Sequence, residues 1–297
     1  MNNLSHHKIE IKFYKTAAVV IPSHGKITGS SSGGSSRGCI VLCSSKSLKR
    51  CTNTFKNASH LFTTEITLTY PDDYPCDGTV SKKHLDRILK GLKRWGVIDW
   101  AWVLEFQERG APHYHLLIGG WVDKDKLARA WFRIVGSGDE KHLQAGTRVS
   151  AIRSQAGAAV YAAGYAAKSK SIQKLVPAGY EHVGRFWGCS KSVSIEAAKC
   201  EVVEMVFETD KELSAVYSSL AKIREEEIKP WLEKQKAEGK KVHDWVDYGG
   251  GFSSWKVEEI KKVLIDLGVY DGKEAGGNGS EKEKEAGAEV VRVVCEE

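Results

Sequence analysis

Apolar and polar residues alternate most regularly over Phe62–Tyr70 (Phe-Thr-Thr-Glu-Ile-Thr-Leu-Thr-Tyr), a run rich in β-branched and aromatic residues. Period-two alternation turns one side of a backbone to a core and the other to solvent, so this stretch predicts a half-buried strand, stopped by Pro71-Asp72-Asp73. Trp100–Gln107 and His113–Ile118 predict two further strands. Arg109-Gly110-Ala111-Pro112 lies between them as a turn, and the three pieces together predict a β-hairpin. Spacing of three to four marks helices instead. Leu85, Ile88, Leu89, Leu92 and Trp95 form one stripe over Lys82–Trp95, and Leu127, Trp131, Phe132 and Val135 form another over Asp123–Val135. Leu48, Cys51 and Phe55 share the face of a helix capped by Ser44 or Ser45. Gly157–Ser169 is rich in alanine and predicts a helix, although Gly164 costs it about 1 kcal/mol relative to Ala. Cys39–Cys43 and Arg148–Ile152 predict short strands, and Phe186–Ile195 a return to the sheet.

Toward the ends the pattern weakens. Ile9–Ile21 is a candidate strand, but Gly29–Ser36 reads as a linker, so residues 1–36 are expected to be a flexible segment. The main domain is expected over 37–200. Residues 201–270 are expected to be mainly helical, with a strand-like start at Cys200–Phe207, a long charged helix over Lys211–Gly239 and a last amphipathic helix over Val257–Leu267. Residues 271–297, acidic and Gly-rich, are expected to be a disordered tail. The fold class implied is α+β: a central, mainly antiparallel sheet flanked by helices, with a mostly helical C-terminal extension.

Composition narrows the function. The 297 residues have the balance of a globular protein and no apolar stretch of membrane-spanning length or long signal core, so a cytoplasmic protein is expected. Seven cysteines without a Cys-x-x-Cys suggest reduced thiols rather than a disulfide or zinc framework. The formal charge of +6 is unevenly spread. Residues 141–200 hold Lys141, Arg148, Arg153, Lys168, Lys170, Lys174, Arg185, Lys191 and Lys199 against Glu181 and Glu196 alone. The predicted helices add Lys46, Lys49, Arg50 and Lys56, and Lys82, Lys83, Arg87, Lys90, Lys93 and Arg94. This distribution suits a polyanion such as nucleic acid, held through its backbone.

Two groups of residues carry chemistry. His113 and His115 point the same way from one strand, with Tyr114 opposite, and a hairpin brings Glu105 close to both. One carboxylate and two imidazoles make a candidate divalent-cation site, suited to Mg²⁺ or Mn²⁺ and also open to Zn²⁺. Tyr161, Tyr165 and Lys168 share one helical face. A tyrosine hydroxyl is a weak nucleophile, and a metal or cation nearby would make it phenolate-like.

With these residues in hand, the chain resembles the rolling-circle replication initiators of the HUH endonuclease superfamily, especially those of single-stranded DNA phages and plasmids. The resemblance covers about Gly38 to Ser192. Thr67-Leu68-Thr69-Tyr70-Pro71 resembles the first motif, a strand end associated with DNA contact. Pro112-His113-Tyr114-His115-Leu116-Leu117 resembles the second, with Glu105 matching the acidic third ligand. Tyr165-Ala166-Ala167-Lys168 resembles the third, a catalytic tyrosine with its lysine, and Tyr161 the first tyrosine of two-tyrosine initiators. Some relatives carry Lys before the second tyrosine where this chain has Gly164, so Tyr161 stands as either a second nucleophile or a helper. Gly184-Arg185-Phe186-Trp187-Gly188 is similar to a stretch beyond the third motif in phage-type relatives.

The resemblance implies a metal-dependent, site-specific endonuclease and strand transferase. Tyr165 would nick single-stranded origin DNA, leaving a 5′-phosphotyrosine link and a free 3′-hydroxyl. Thr67, Thr69, Tyr70, Lys46, Lys49, Arg50, Arg153, Lys170 and Arg185 would contact DNA, and Tyr70, Phe186 or Trp187 either stack on bases or pack in the core. A polymerase would extend the 3′ end, and a separate helicase would unwind, because the chain has no Gly-x-x-x-x-Gly-Lys-Ser/Thr loop. Rival readings are a transposase or relaxase of the same superfamily and a non-catalytic, metal-containing DNA-binding protein. A histidine-triad hydrolase needs another His where Leu117 stands.

Overall fold

A computed structural model describes residues 7–22, 45–152, 176–181, 183–207, 209–239, 251–270, 282–285 and 288–294. The chain divides into two compact units, residues 32–198 and residues 1–31 with 199–297.

The first unit is built on a five-stranded antiparallel sheet. Its strands are β3 (Thr64–Thr69), β4 (Trp100–Phe106), β5 (Pro112–Ile118), β6 (Thr147–Ala151) and β7 (Trp187–Cys189), in the spatial order β6-β3-β5-β4-β7. β4 and β5 form the expected hairpin, with Glu105 directly opposite His113. Gly110 sits in its turn at φ 84°, a left-handed conformation that a side chain would strain. The even-numbered residues of the central strands (Ile66, Leu68, Tyr114, Leu116, Ile118, Trp102 and Leu104) face one core. Helices α2 (Gly78–Arg94) and α3 (Lys124–Val135) cover it with Leu85, Ile88, Leu92, Leu127 and Trp131. Asp77 caps α2 and Asp123 caps α3 through their side chains, as short polar residues do at helix starts. On the opposite face, helix α1 (Ser45–Asn57) packs Cys51 and Phe55 near Ala101 and Leu117.

Several details differ from the sequence pattern. Phe186–Ile195 does not continue as a strand: β7 ends at Cys189, and α5 (Lys191–Ala198) follows. The Ser190 hydroxyl, 3.4 Å from Val193 N, turns the chain there. Helix α4 (Glu140–Ala145), too short to show periodicity, precedes β6. Gly188 in β7 lies against the Trp102 indole. A Cβ there would come within 3.0 Å of the ring, so glycine is what lets β7 close on β4.

The second unit also has an antiparallel sheet, of six strands in the order β10-β11-β8-β1-β2-β9. They are β1 (His7–Tyr14), β2 (Ala17–Pro22), β8 (Cys200–Phe207), β9 (Phe252–Ser254), β10 (Lys282–Glu285) and β11 (Ala288–Val294). Ile9, Ile11 and Phe13 pack with Val203, Met205 and Phe207 against α6 (Asp210–Ala237) and α7 (Val257–Asp266). The segment read as flexible therefore contains a hairpin, because the alternating face of β1 finds its partner in β8, from His7↔Phe207 to Tyr14↔Cys200. Likewise β10 and β11 lie within the stretch read as a disordered tail, and the C-terminal region adds strands to its expected helices. Among the described residues no helix is long and apolar enough to cross a membrane.

Candidate functional site

The odd-numbered residues of β3, β4 and β5 face away from the α2–α3 core. Cross-strand register sets His113 beside Thr69 on one side and Glu105 on the other, and His115 beside Thr67 and Val103. Glu65 lies on the same face. Polar side chains thus gather on adjacent strands simply because alternation and register coincide.

His115 sits between two carboxylates. Its Nε2 is 3.5 Å from Glu105 Oε2, and its Nδ1 is 3.9 Å from Glu65 Oε1, ion-pair rather than hydrogen-bond range. The His113 and His115 rings meet edge to face at 4.5 Å between centroids. Glu105 Oε1 is buried and takes no hydrogen bond from the described residues. Burial chiefly lowers the pKa of His113 to about 4, helped by His115 and Arg109 and opposed by Glu105. His113 is therefore neutral near pH 7, the form that ligates a metal. Burial also works against charge on His115, but the Glu105 and Glu65 carboxylates outweigh it and raise its pKa above the ordinary value.

Thr69 is the best-anchored member. Its Oγ1 is 3.2 Å from His113 Nδ1, its N–H donates to the Gly146 carbonyl, and its own carbonyl accepts from Trp131 Nε1 (2.8 Å) and His142 Nε2 (2.9 Å). A carbonyl only accepts, so Nε2 of His142 carries the proton and its Nδ1 accepts from Ser137 Oγ at 2.8 Å. Arg109 ties the hairpin turn to the end of β3 by donating to the carbonyls of Tyr70 (2.6 Å) and Pro71 (2.8 Å).

A divalent ion fits this face in donor type: a carboxylate with an unpaired buried oxygen and two imidazoles. Among the described residues no three His, Cys, Asp or Glu groups already converge on one ion, so the set closes only by side-chain rotation. Glu105 and His115 are the pair nearest to that arrangement.

The other expected site residues fall as follows. Tyr70 is a correction: it is 2% exposed, packs against Trp131 and has its hydroxyl 3.1 Å from His84 Nδ1, because its even position turns it to the core. Burial pushes its hydroxyl far above the ordinary range. Phe186 packs against Phe106, and Trp187 packs against Phe55 and donates to Ser47 Oγ, so both serve the core. Tyr114 is fully buried, with its hydroxyl 2.7 Å from Ser81 Oγ. Lys49, Arg50 and Arg185 are exposed, and Thr67 is half-buried on the polar face. Lys82 is turned inward: it lies 3.8 Å over the Trp102 ring and donates to the Arg185 carbonyl, and burial lowers its pKa to about 7. Tyr161, Tyr165, Lys168, Arg153 and Lys170, together with the Lys46 side chain, lie outside the described residues. Sequence reasoning missed Glu65 and Arg109. The alternation of β3 puts Glu65 on the polar face, but its closeness to His115 depends on strand register, which no local pattern carries.

No curated protein and no solved structure matches the chain. Residues 63–170, which span all three motifs, match the model of a family of replication-associated proteins, those of the ORF2 and gene-two-protein type, and that match supports a replication-initiator role for this chain.

Proposed function

We propose that the chain initiates rolling-circle replication by nicking and rejoining single-stranded origin DNA. The observation that carries this reading is the placement of Glu105, His113 and His115 on one face of adjacent strands, inside the segment that matches the replication-associated family.

The scissile phosphodiester lies against that face. Glu105, His113 and His115 would hold Mg²⁺ or Mn²⁺, and an ion there supplies polarisation of the phosphate and offsets developing charge. The Tyr165 hydroxyl attacks phosphorus. The bond from phosphorus to the 3′ oxygen breaks, that oxygen takes up a proton, and the 5′ side remains as a phosphotyrosine. One phosphodiester replaces another, so the link retains what is needed for rejoining when the 3′-hydroxyl attacks in reverse. Lys168 orients the phosphate, and Tyr161 is the second nucleophile or a helper. The roles of these three rest on the motif resemblance. A polymerase extends the free 3′ end, and a separate helicase opens the duplex, in the cytoplasm.

The test is incubation with an end-labelled, randomised single-stranded oligonucleotide pool and Mn²⁺, followed by denaturing electrophoresis. A protein–DNA adduct that survives denaturation is expected. Tyr165→Phe should abolish it, and an undiminished adduct in that variant would overturn the nucleophile assignment. An adduct that persists in His113→Ala and Glu105→Ala would overturn the metal assignment.

A further inference from the structure

Helices α2 and α3 cover the apolar face of the five-stranded sheet, so their outer surface lies on the side away from Glu105, His113 and His115. That surface is strongly basic. α2 carries Lys82, Lys83, Arg87, Lys90, Lys93 and Arg94 against Asp86 alone, and α3 carries Lys124, Lys126, Arg129 and Arg133 against Asp125 alone. Of these cations only Lys82 is turned into the core.

Between the two helices runs a cleft of about 420 Å³, with Gly91 and Ala130 in its lining and Arg87, Arg94 and Arg133 converging on it beside Trp95. All three arginines are exposed. None pairs with a carboxylate among the described residues. Arg133 Nε donates to the Arg129 carbonyl at 3.2 Å, and the one acid of α2 is taken by Lys90 at 2.7 Å. Arg94 and Arg133 lie in the last turns of their helices, where the helix dipole favours a cation. That accounts for each alone. It does not account for Arg87 in mid-helix, nor for three like charges drawn to one concave space, which repel unless an anion sits among them. Guanidinium forks match phosphate oxygens two by two.

We infer that the α2–α3 cleft is a second DNA surface, gripping the phosphodiester backbone on the opposite side of the sheet from the nicking site. The inference rests on the DNA-directed reading proposed above. A strand held there is a different stretch from the one at Glu105, His113 and His115, so the molecule holds its DNA at two places.

The test measures binding of a labelled duplex and of a labelled single strand by fluorescence anisotropy, in EDTA and across a range of NaCl. It compares the unaltered chain, Arg87→Gln/Arg94→Gln/Arg133→Gln, and a charge-matched control, Lys229→Gln/Lys234→Gln/Lys236→Gln, on exposed positions of α6. If each arginine holds one phosphate, the triple variant lowers the slope of log affinity against log salt by about 3 for duplex or about 2 for a single strand, and the control does not. The arm that responds identifies the form of DNA bound. Circular dichroism checks that the variants are folded, which substitutions at exposed positions should leave intact. An unchanged slope in both arms, or an equal fall in the control, overturns the cleft while leaving the nicking reading standing. Binding of an acidic peptide but not DNA, lost in the triple variant, also overturns it. Failure of the unaltered chain to bind any DNA overturns both.

Discussion

Both sheets have an apolar face and a polar one, and their polar faces are built differently. In the six-stranded sheet, charges are settled by pairing: Lys8 meets Glu204 at 2.8 Å, and Lys12 meets Glu10 at 3.2 Å. In the five-stranded sheet, Glu65 and Glu105 gather with the imidazoles of His113 and His115. Neither carboxylate has a lysine or arginine salt bridge among the described residues, and a Glu105 oxygen is left without a partner. Exposed Lys–Glu pairs are an inexpensive way to solvate a sheet. Carboxylates and imidazoles held against one another are costly to bury, and such clusters mark functional sites. Alternation makes both faces; the choice of residue at the outward positions separates a solvated sheet from a chemical one.

The largest expected effect separates the two faces of the five-stranded sheet. Tyr114→Ala removes a fully buried ring and its Ser81 hydrogen bond, and should cost about 3–5 kcal/mol in urea unfolding. His115→Ala, one residue away, should cost far less. Equal losses would mean that both faces are structural.

Thr69→Val keeps the shape at that position and deletes the hydroxyl beside His113 Nδ1. Partners that orient a ligating histidine are typically worth about 10–100-fold in metal affinity, so Mn²⁺ should bind at least tenfold more weakly, with Thr69→Ser restoring it. Unaltered affinity in Thr69→Val would leave Thr69 to DNA contact alone.

A smaller effect is expected with pH. His113 has a folded pKa near 4 against about 6.5 in an unfolded chain, so the unfolded state binds the proton more readily. Its contribution to stability is therefore present above about pH 6.5 and lost as pH falls toward 4. In EDTA, the Tm difference between the unaltered chain and His113→Gln should shift against the unaltered chain between pH 6.5 and 4.5. A constant difference would show that His113 does not titrate in this window. The smallest effect is expected in the other sheet: Lys8→Gln should change stability by less than about 1 kcal/mol in guanidinium unfolding.

Much of this was legible in the sequence, and the gaps share a cause. Periodicity located the hairpin, the strand before it and the helices that cover them, and it put His113 and His115 on one face with Tyr114 on the other. Contacts set by register or by distant partners were not legible. The motif around Tyr70 suggested DNA contact, whereas its even position buries it against Trp131. Glu65 reads as an ordinary polar position until β3 pairs with β5. The first hairpin looked like a flexible lead because the strand that completes it, β8, begins at Cys200. Short elements such as α4 span too few residues to show a period.

The most direct measurement of the central claim is a Mn²⁺ titration of the full chain, followed by electron paramagnetic resonance, for the unaltered protein, His115→Ala and Tyr114→Phe. One bound Mn²⁺ per chain is predicted, lost in His115→Ala and kept in Tyr114→Phe. A chain that binds no Mn²⁺, or that binds it equally well without the His115 imidazole, would contradict the reading of this sheet face as a metal-dependent site.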